Sequence, residues 1–275
     1  MEVLTPTGPL LTGGKDYFLI SPHWLDTGYV LWTLLRVSFA LLSVYGAGIL
    51  LRKLGLFRRF FPSIPAFVPG IALHVAMTAI LSITGLLNRT VAPLAMVPWA
   101  ICGAVALFGK LRTLRLLRRR ISIWQVLFAL AALYVVAVNL LDSVRPELRE
   151  QDPLITYADQ PDRWLDSGGM HFLDETVFSA LPVAGEMMAV WPASLASDKL
   201  DQVSLLQVWS FMMMLLAVVL SLRLLRARYC VFLPVIFIAA GCNMLAEHAG
   251  LAKVDMTAAL LLSVALASQA GRLLS

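Results

Sequence analysis

The stretch Tyr29–Leu51, YVLWTLLRVSFALLSVYGAGILL, contains one charged residue, Arg36, and is followed at once by Arg52-Lys53. A helix needs about 20 predominantly apolar residues to cross the hydrocarbon core of a bilayer. The stretch therefore predicts a membrane-spanning helix. The basic pair after it predicts that this helix ends on the cytoplasmic side, where lysine and arginine are enriched.

The composition of the whole chain extends this prediction. Of its 275 residues 59% are hydrophobic and 14% are charged, and the mean hydropathy is +0.80. Soluble domains carry about 25% charged residues, so the chain is predicted to be an all-α polytopic transmembrane helical bundle with about seven spans. After the first stretch, the other predicted spans are Ile64–Leu87, Val91–Phe108, Ile123–Leu141, Leu205–Leu222, Cys230–Leu245 and Met256–Ala270.

The signs of the connecting segments alternate. Basic residues follow the first, third, fifth and seventh spans, whereas the other connections are short or acidic. The positive-inside rule then predicts a multi-pass protein of the plasma (inner) membrane, with its N-terminus extracytoplasmic and its C-terminus cytoplasmic. Because the basic residues serve as topology signals, the net charge of +5 does not indicate a nucleic-acid partner.

An acidic segment interrupts the apolar pattern and divides the chain into three parts. Residues 1–141 hold an N-terminal arm and four spans, 142–204 form one large extracytoplasmic loop, and 205–275 hold three spans. The segment from Asp142 to Asp201 contains twelve of the seventeen acidic residues. Within the loop, short amphipathic helices are predicted near Gln160–Leu165 and from Leu181 to Met188. The chain stops directly after a span, which suggests that further C-terminal spans belong to a longer protein.

The acids of the loop are candidates for chemistry. A carboxylate at the bilayer edge is partly desolvated, which raises its pKa and suits it to act as a general base. Asp152 and Asp159 are the main candidates, and Tyr157 and Trp164 offer surface on which a sugar can stack. Glu186 lies in an apolar run, where a charge is costly unless it is paired or functional. The alternative, solvated loop carboxylates, stays open.

The same segment resembles the first large extracytoplasmic loop of GT-C-class membrane glycosyltransferases. This class includes protein mannosyltransferases and the aminoarabinose transferases. Lys253-Val254-Asp255 is similar to an acidic position at the outer start of a later helix in that family. The resemblance covers Leu140 to Ala270. In the family the residue after the tyrosine is a histidine, here Ala158, and fewer spans precede the loop. The motif residues in the loop are Asp152, Tyr157, Trp164-Leu165 with Gly168-Gly169, and the run Pro182–Met187.

The resemblance implies transfer of a sugar from a polyprenyl-phosphate donor. It implies Asp152 as the catalytic base, with Asp159 as the substitute. The leaving phosphate needs a cation, for which Arg163, Lys199, Lys253 or a divalent metal are the candidates. No protein metal-ligand set is predicted, and the cofactor is left open. The residues expected to bind substrate are Tyr157, Arg163, Trp164, Glu186, Lys253 and Asp255.

Two other functions stay open. One is a non-catalytic membrane module, either an assembly subunit or a degenerate relative that binds a lipid-linked glycan. The other is a transporter, which is less favoured because the spans carry few polar residues beyond Arg36 and His74. The expected partners are a polyprenyl-phosphate-linked sugar and membrane lipid, together with an oligomeric partner or the missing spans.

Overall fold

A computed structural model describes residues 26–55, 64–113, 123–144, 159–170, 184–225, 234–239 and 255–273 of the chain. Most of these residues are helical, the others form turns and one isolated bridge, and 234–239 form a short additional helical stretch. The all-α prediction is confirmed for them. In chain order the helices are α1 (Thr27–Lys53), α2 (Phe67–Ile83), α3 (Val91–Thr113), α4 (Ile123–Val144), α5 (Asp159–Ser167), α6 (Ala184–Ala193), α7 (Lys199–Leu224) and α8 (Asp255–Leu273).

Within this part of the chain, four helices are long and apolar enough to cross a membrane: α1, α3, α4 and α7. They correspond to the first, third, fourth and fifth predicted spans. The apolar helix α2 and the apolar part of α8, Ala259–Gln269, are shorter and lie where the second and seventh spans are predicted. Only 234–239 of the sixth predicted span are described. Four apolar helices thus support a membrane protein.

Capping residues set where the helices begin. Asp26 precedes α1 and accepts a hydrogen bond from the backbone N–H of Gly28 at 3.0 Å. Asp198 precedes α7 and accepts one from the N–H of Asp201 at 2.8 Å. Such caps satisfy N–H groups that have no partner inside the helix. The cap at Asp198 starts α7 before Leu205, where the apolar run begins.

Glycine residues allow α1 to pack closely against its two neighbours. A Cβ atom added to Gly46 in α1 or to Gly103 in α3 would overlap backbone atoms of the other helix, and Gly48 in α1 and Gly70 in α2 form a second contact of this kind. Small residues at such crossings are typical of membrane helices, because dispersion contacts between backbones replace the hydrophobic effect. Gly48 lies against Ala66, so the C-terminal part of α1 meets the start of α2 and the two helices run antiparallel.

α7 is the central helix and α4 the most peripheral one. Within the apolar windows, 72% of α7 is buried but only 11% of α4. α7 packs against α1, α4, α6 and α8, whereas α3 packs mainly on α1. The apolar residues that α3 and α4 leave exposed, such as Phe108 and Leu133, form a surface suited to lipid.

The short helices α5 and α6 lie at the end of the bundle where α1 and α7 begin and α2 ends; we call this the α5 end. Backbone atoms of Leu87, just after α2, and Gly168, just after α5, form an isolated antiparallel bridge. The Ser82 hydroxyl also accepts a hydrogen bond from the N–H of Met170 at 2.6 Å. The basic last turn of α1, with Arg52 and Lys53, lies at the opposite end. The helix predicted near Gln160–Leu165 is present as α5. The helix predicted from Leu181 to Met188 overlaps α6, which continues to Ala193, and residues 181–183 lie outside the described ranges.

Candidate functional site

The α5 end brings together three of the residues predicted to act on a substrate. Asp159, Arg163 and Trp164 belong to α5. Glu186 lies in the first turn of α6 and is half-buried. Asp255 is the first residue of α8, and its side chain is not described. Asp152, Tyr157 and Lys253 lie outside the described residues.

Both carboxylate oxygens of Asp159 are engaged by cations. Lys199 Nζ donates to Oδ1 at 2.7 Å, and Arg163 Nε lies 2.7 Å from Oδ2. Arg163 is one helical turn beyond Asp159, a spacing at which opposite charges on a helix attract. In this arrangement Asp159 holds two cations at one place.

Arg89, in the turn between α2 and α3, makes a second set of ion pairs with acids of α5. Its guanidinium pairs with Asp162 and lies 3.4 Å from Asp166. Burial raises the pKa of the Asp162 carboxyl above its ordinary value of 3.8, and the nearby positive charge of Arg89 only partly counteracts this. Asp162 is thus a half-buried acid whose environment favours the protonated form more than solvent does.

Trp164 has a packing role in this structure. It is 2% exposed, as is its neighbour Leu165, and both belong to the main hydrophobic core. The amphipathic helix α5 thus buries Trp164 and Leu165 against the bundle and keeps its acids near the surface. A sugar could not stack on the Trp164 ring here, in contrast to the role expected from the sequence.

A buried ion pair joins α1 to α7. Arg36 Nη1 and Nη2 donate to the two carboxylate oxygens of Asp201 at 2.5 and 2.6 Å, and the residues are 7% and 3% exposed. The ring of Trp32 lies 5.5 Å from the guanidinium carbon, within the range of a cation–π contact. The sequence identifies Arg36 as the one charged residue of the first predicted span but does not identify Asp201 as its partner. The available signal was the rule that a charge inside a span needs a partner.

The two arginines also hold the turn between α6 and α7. Arg36 Nη1 donates to the carbonyl oxygen of Leu195 at 3.0 Å. Arg89 Nη1 lies 3.5 Å from the carbonyl oxygens of Ala193 and Ala196. Carbonyl groups at the end of a helix lack partners inside the helix. The arginines supply such partners while they bind the acids of α5 and α7.

His74 in α2 is fully buried and bonded on both ring nitrogens. Its Nε2 lies 2.8 Å from the hydroxyl of Ser43 in α1, and its Nδ1 lies 2.9 Å from the carbonyl oxygen of Gly70. The imidazole also meets the Trp191 ring edge-on, with 4.9 Å between centroids. These contacts join His74 to the neighbouring helix α1 and to the backbone of its own helix.

α7 carries a further polar residue that sequence reasoning did not single out. Gln207 is fully buried, and neither its side-chain oxygen nor its side-chain nitrogen has a hydrogen-bond partner among the residues that the structure describes. Each such group costs free energy in an apolar interior. The sequence feature that could have identified this residue is the presence of a glutamine within the predicted span Leu205–Leu222.

No group of three His, Cys, Asp or Glu side chains suited to a metal ion occurs in the described ranges. The loosely spaced set Glu247, His248 and Asp255 lies in parts of the chain whose side chains are not described. Comparisons with protein-family models, curated proteins and solved structures found no match to this chain.

Chemically, the α5 end pairs cations with carboxylates at the edge of an apolar bundle. Lys199 and Arg163 converge on a single acid, Asp159, and Arg89 pairs with Asp162 and Asp166 beside them, so three cations face three carboxylates. An anionic group that approaches from the bilayer surface would replace a carboxylate as the partner of one of these cations, because phosphate binds to ammonium and guanidinium groups through charge-assisted hydrogen bonds.

Proposed function

We propose that this protein is a membrane glycosyltransferase that takes a sugar from a polyprenyl-phosphate donor at the α5 end of its bundle. The observation that supports the proposal is the convergence of Lys199 and Arg163 on Asp159. A lipid-linked donor keeps its phosphate at the membrane surface, where these two cations would meet it. The resemblance of the loop to GT-C-class enzymes supplies the reaction type.

Asp152 is the proposed base. It takes the proton of the acceptor hydroxyl as the hydroxyl oxygen attacks the anomeric carbon, and the bond from that carbon to the phosphate oxygen breaks. Lys199 and Arg163 stabilise the negative charge that develops on the leaving phosphate. Asp159 does not serve as the substitute base in this proposal, because it holds the two cations.

The remaining predicted residues are proposed to bind the sugar or the phosphate. Glu186, at the half-buried start of α6, and Asp255, at the start of α8, would accept hydrogen bonds from sugar hydroxyls. Tyr157 would stack on the sugar ring, and Lys253 would add a third cation. A divalent metal held by the donor phosphate would serve the same electrostatic purpose.

The test is transfer in proteoliposomes with a polyprenyl-phosphate sugar as donor. We expect Asp152→Asn to lower the transfer rate by about 10²–10⁴-fold, the usual contribution of a general base. Asp142→Asn is the matched control, because Asp142 is an exposed acid at the end of α4 with no proposed role. Equal rates for wild type and Asp152→Asn would exclude the mechanism.

A second function is favoured by one observation. The carboxylate of Asp159 holds Lys199 and Arg163 together, an arrangement that can bind an anionic group without any reaction. A non-catalytic module that holds a lipid-linked glycan for another enzyme would need only that arrangement. Purified protein that binds the donor in a Lys199-dependent way but yields no product with any acceptor would support this function over transfer.

A further inference from the structure

The carboxylate of Asp201 is the most heavily hydrogen-bonded group at the α5 end. Besides the two bonds from Arg36, Oδ2 accepts bonds from the backbone N–H and the hydroxyl of Ser197 at 2.8 and 3.0 Å. Oδ1 accepts a bond from the hydroxyl of Tyr29 at 3.1 Å. Five donors from α1 and from the turn before α7 thus fix one side chain in the first turn of α7.

A gain in stability does not by itself explain the buried ion pair between Arg36 and Asp201. Removing two charges from water is costly, and apolar residues of similar volume often stabilise a protein as well as a buried ion pair does. What the bidentate geometry adds is direction, since a planar guanidinium and a carboxylate meet in one orientation. The pair therefore defines how the first turn of α7 is rotated relative to α1.

Because Lys199 lies in the same helical turn as Asp201, the orientation of that turn also determines the direction of Lys199. Successive residues of an α-helix are separated by about 100°, so positions two apart lie on nearly opposite sides. Asp201 faces α1, where it meets Arg36, and Lys199 faces α5, where it meets Asp159. The first turn of α7 is thus tied to α1 on one side and to α5 on the other.

We infer that Arg36 and Asp201 are a positioning pair, which sets the rotation of α7 so that the ammonium group of Lys199 is held at Asp159. The pair itself touches no substrate. The inference rests on the proposed function only for the ligand that Lys199 would meet, the phosphate of a lipid-linked donor. The geometric claim can be tested without that ligand.

The experiment measures how fast each lysine reacts with a water-soluble amine-acylating reagent, using peptide mass spectrometry on the full chain in nanodiscs. An ion-paired ammonium reacts slowly, and Lys199 is only 29% exposed. We expect Asp201→Asn and Arg36→Gln each to raise the Lys199 rate about two- to five-fold, the factor that corresponds to a partly exposed ion pair. Asp159→Asn, which removes the direct partner, should raise it equally.

Lys110 serves as the internal reference. It lies at the opposite end of the bundle, where it donates to the Tyr45 hydroxyl at 2.6 Å, so its rate reports the packing of α1 against α3. A Lys199 rate that rises in Asp159→Asn but stays at the wild-type value in Asp201→Asn and Arg36→Gln, with Lys110 unchanged in all three, would overturn the inference.

If the charge variants unfold, Lys110 will react faster as well. The milder variant Arg36→Lys then decides, because lysine keeps the buried positive charge but cannot make the bidentate contact with Asp201 that sets the rotation of α7. A faster Lys199 with an unchanged Lys110 supports the inference, and no change at Lys199 contradicts it. None of these rates depends on transfer, so an inactive protein would count against the proposed function alone.

Discussion

Asp162 shows how a single residue at the α5 end responds to its surroundings. Its pKa lies above the ordinary 3.8 because burial disfavours the charged form more than Arg89 favours it. An acid with a raised folded-state pKa contributes most to stability below its unfolded pKa, and the contribution falls as the pH rises through the folded value. Near neutral pH the charged Asp162 therefore lowers the free energy of unfolding.

The expected result is a pH-dependent difference between wild type and Asp162→Asn. As the pH rises from below 3.8 through the raised value, the unfolding free energy of the wild type should fall relative to that of the variant. Thermal unfolding across this pH range measures the difference. Asp142→Asn is the control, because Asp142 is an exposed acid at the end of α4; a difference of the opposite slope in Asp162→Asn would contradict the argument.

Gln207 allows a second test at the level of one residue. Methionine has a similar shape but no amide, so Gln207→Met removes two buried polar atoms that lack partners among the described residues. We expect the variant to unfold at a higher temperature, by an amount equivalent to about 1–3 kcal/mol for relief of the desolvation cost. Gln269→Met, at an exposed position of α8, should change little. A destabilised Gln207→Met would mean that the amide has a partner.

Among the described helices, α1 and α3 share the most extensive contact, and it contains a glycine at which that contact can be disturbed. A Cβ atom at Gly103 would overlap the carbonyl oxygen of Leu42, whereas one at Gly109, on the same helix, would meet nothing within 4 Å. We expect Gly103→Ala to destabilise the protein by about 1–3 kcal/mol. Gly109→Ala should be neutral or stabilising by up to about 1 kcal/mol, since alanine favours a helix.

Unfolding in nanodiscs, followed by helix content, compares the two variants directly. The pair is matched because both changes add one methyl group to α3. Equal stabilities for Gly103→Ala and Gly109→Ala would show that α1 and α3 do not approach as closely as the structure has them.

The helices were predictable where local sequence determines them. The apolar runs predict α1, α3, α4 and α7 because length and hydropathy suffice to identify a candidate span. α5 was predictable from an amphipathic pattern with Pro161 in the first turn, where the missing N–H of proline costs nothing. The start of α7 at Lys199 was harder to predict, because it depends on the cap at Asp198 and on burial of the polar first turn.

The site was less predictable, because its contacts join residues far apart in the chain. The sequence identifies Asp159, Arg163 and Lys199 as charged residues but not that one carboxylate binds both cations. Likewise, Arg36 and Asp201 are separated by 165 positions, and no periodicity connects them. Burial of Trp164 also depends on how α5 docks, which its composition alone does not determine.

At the scale of the whole molecule, the bundle has two chemically different ends. The α5 end holds the acids of α5 and the start of α7, and the opposite end holds the basic last turns of α1 and α3. The positive-inside rule then predicts that the α5 end is extracytoplasmic. Ser167, exposed at the end of α5, and Lys53, at the end of α1, should be reached from opposite sides of the membrane.

Cysteine labelling tests this orientation. In a background without Cys102, Cys230 and Cys242, Ser167→Cys in intact cells should react with an impermeant maleimide, and Lys53→Cys should react only after permeabilisation. The reverse pattern would invert the predicted topology, and labelling of both positions from one side would contradict the arrangement of α1 relative to α5.

The ion pair between Arg36 and Asp201 has a consequence for how the protein is made. Ribosomes add roughly 5–20 residues per second, so the 165 positions between the partners correspond to a delay of roughly 8–33 s. During that interval α1 has been synthesised and its arginine has no counter-ion from α7. A charge left in lipid is costly. We therefore expect newly made α1 to stay beside the insertion machinery, or to keep its guanidinium hydrated, until α7 has been synthesised.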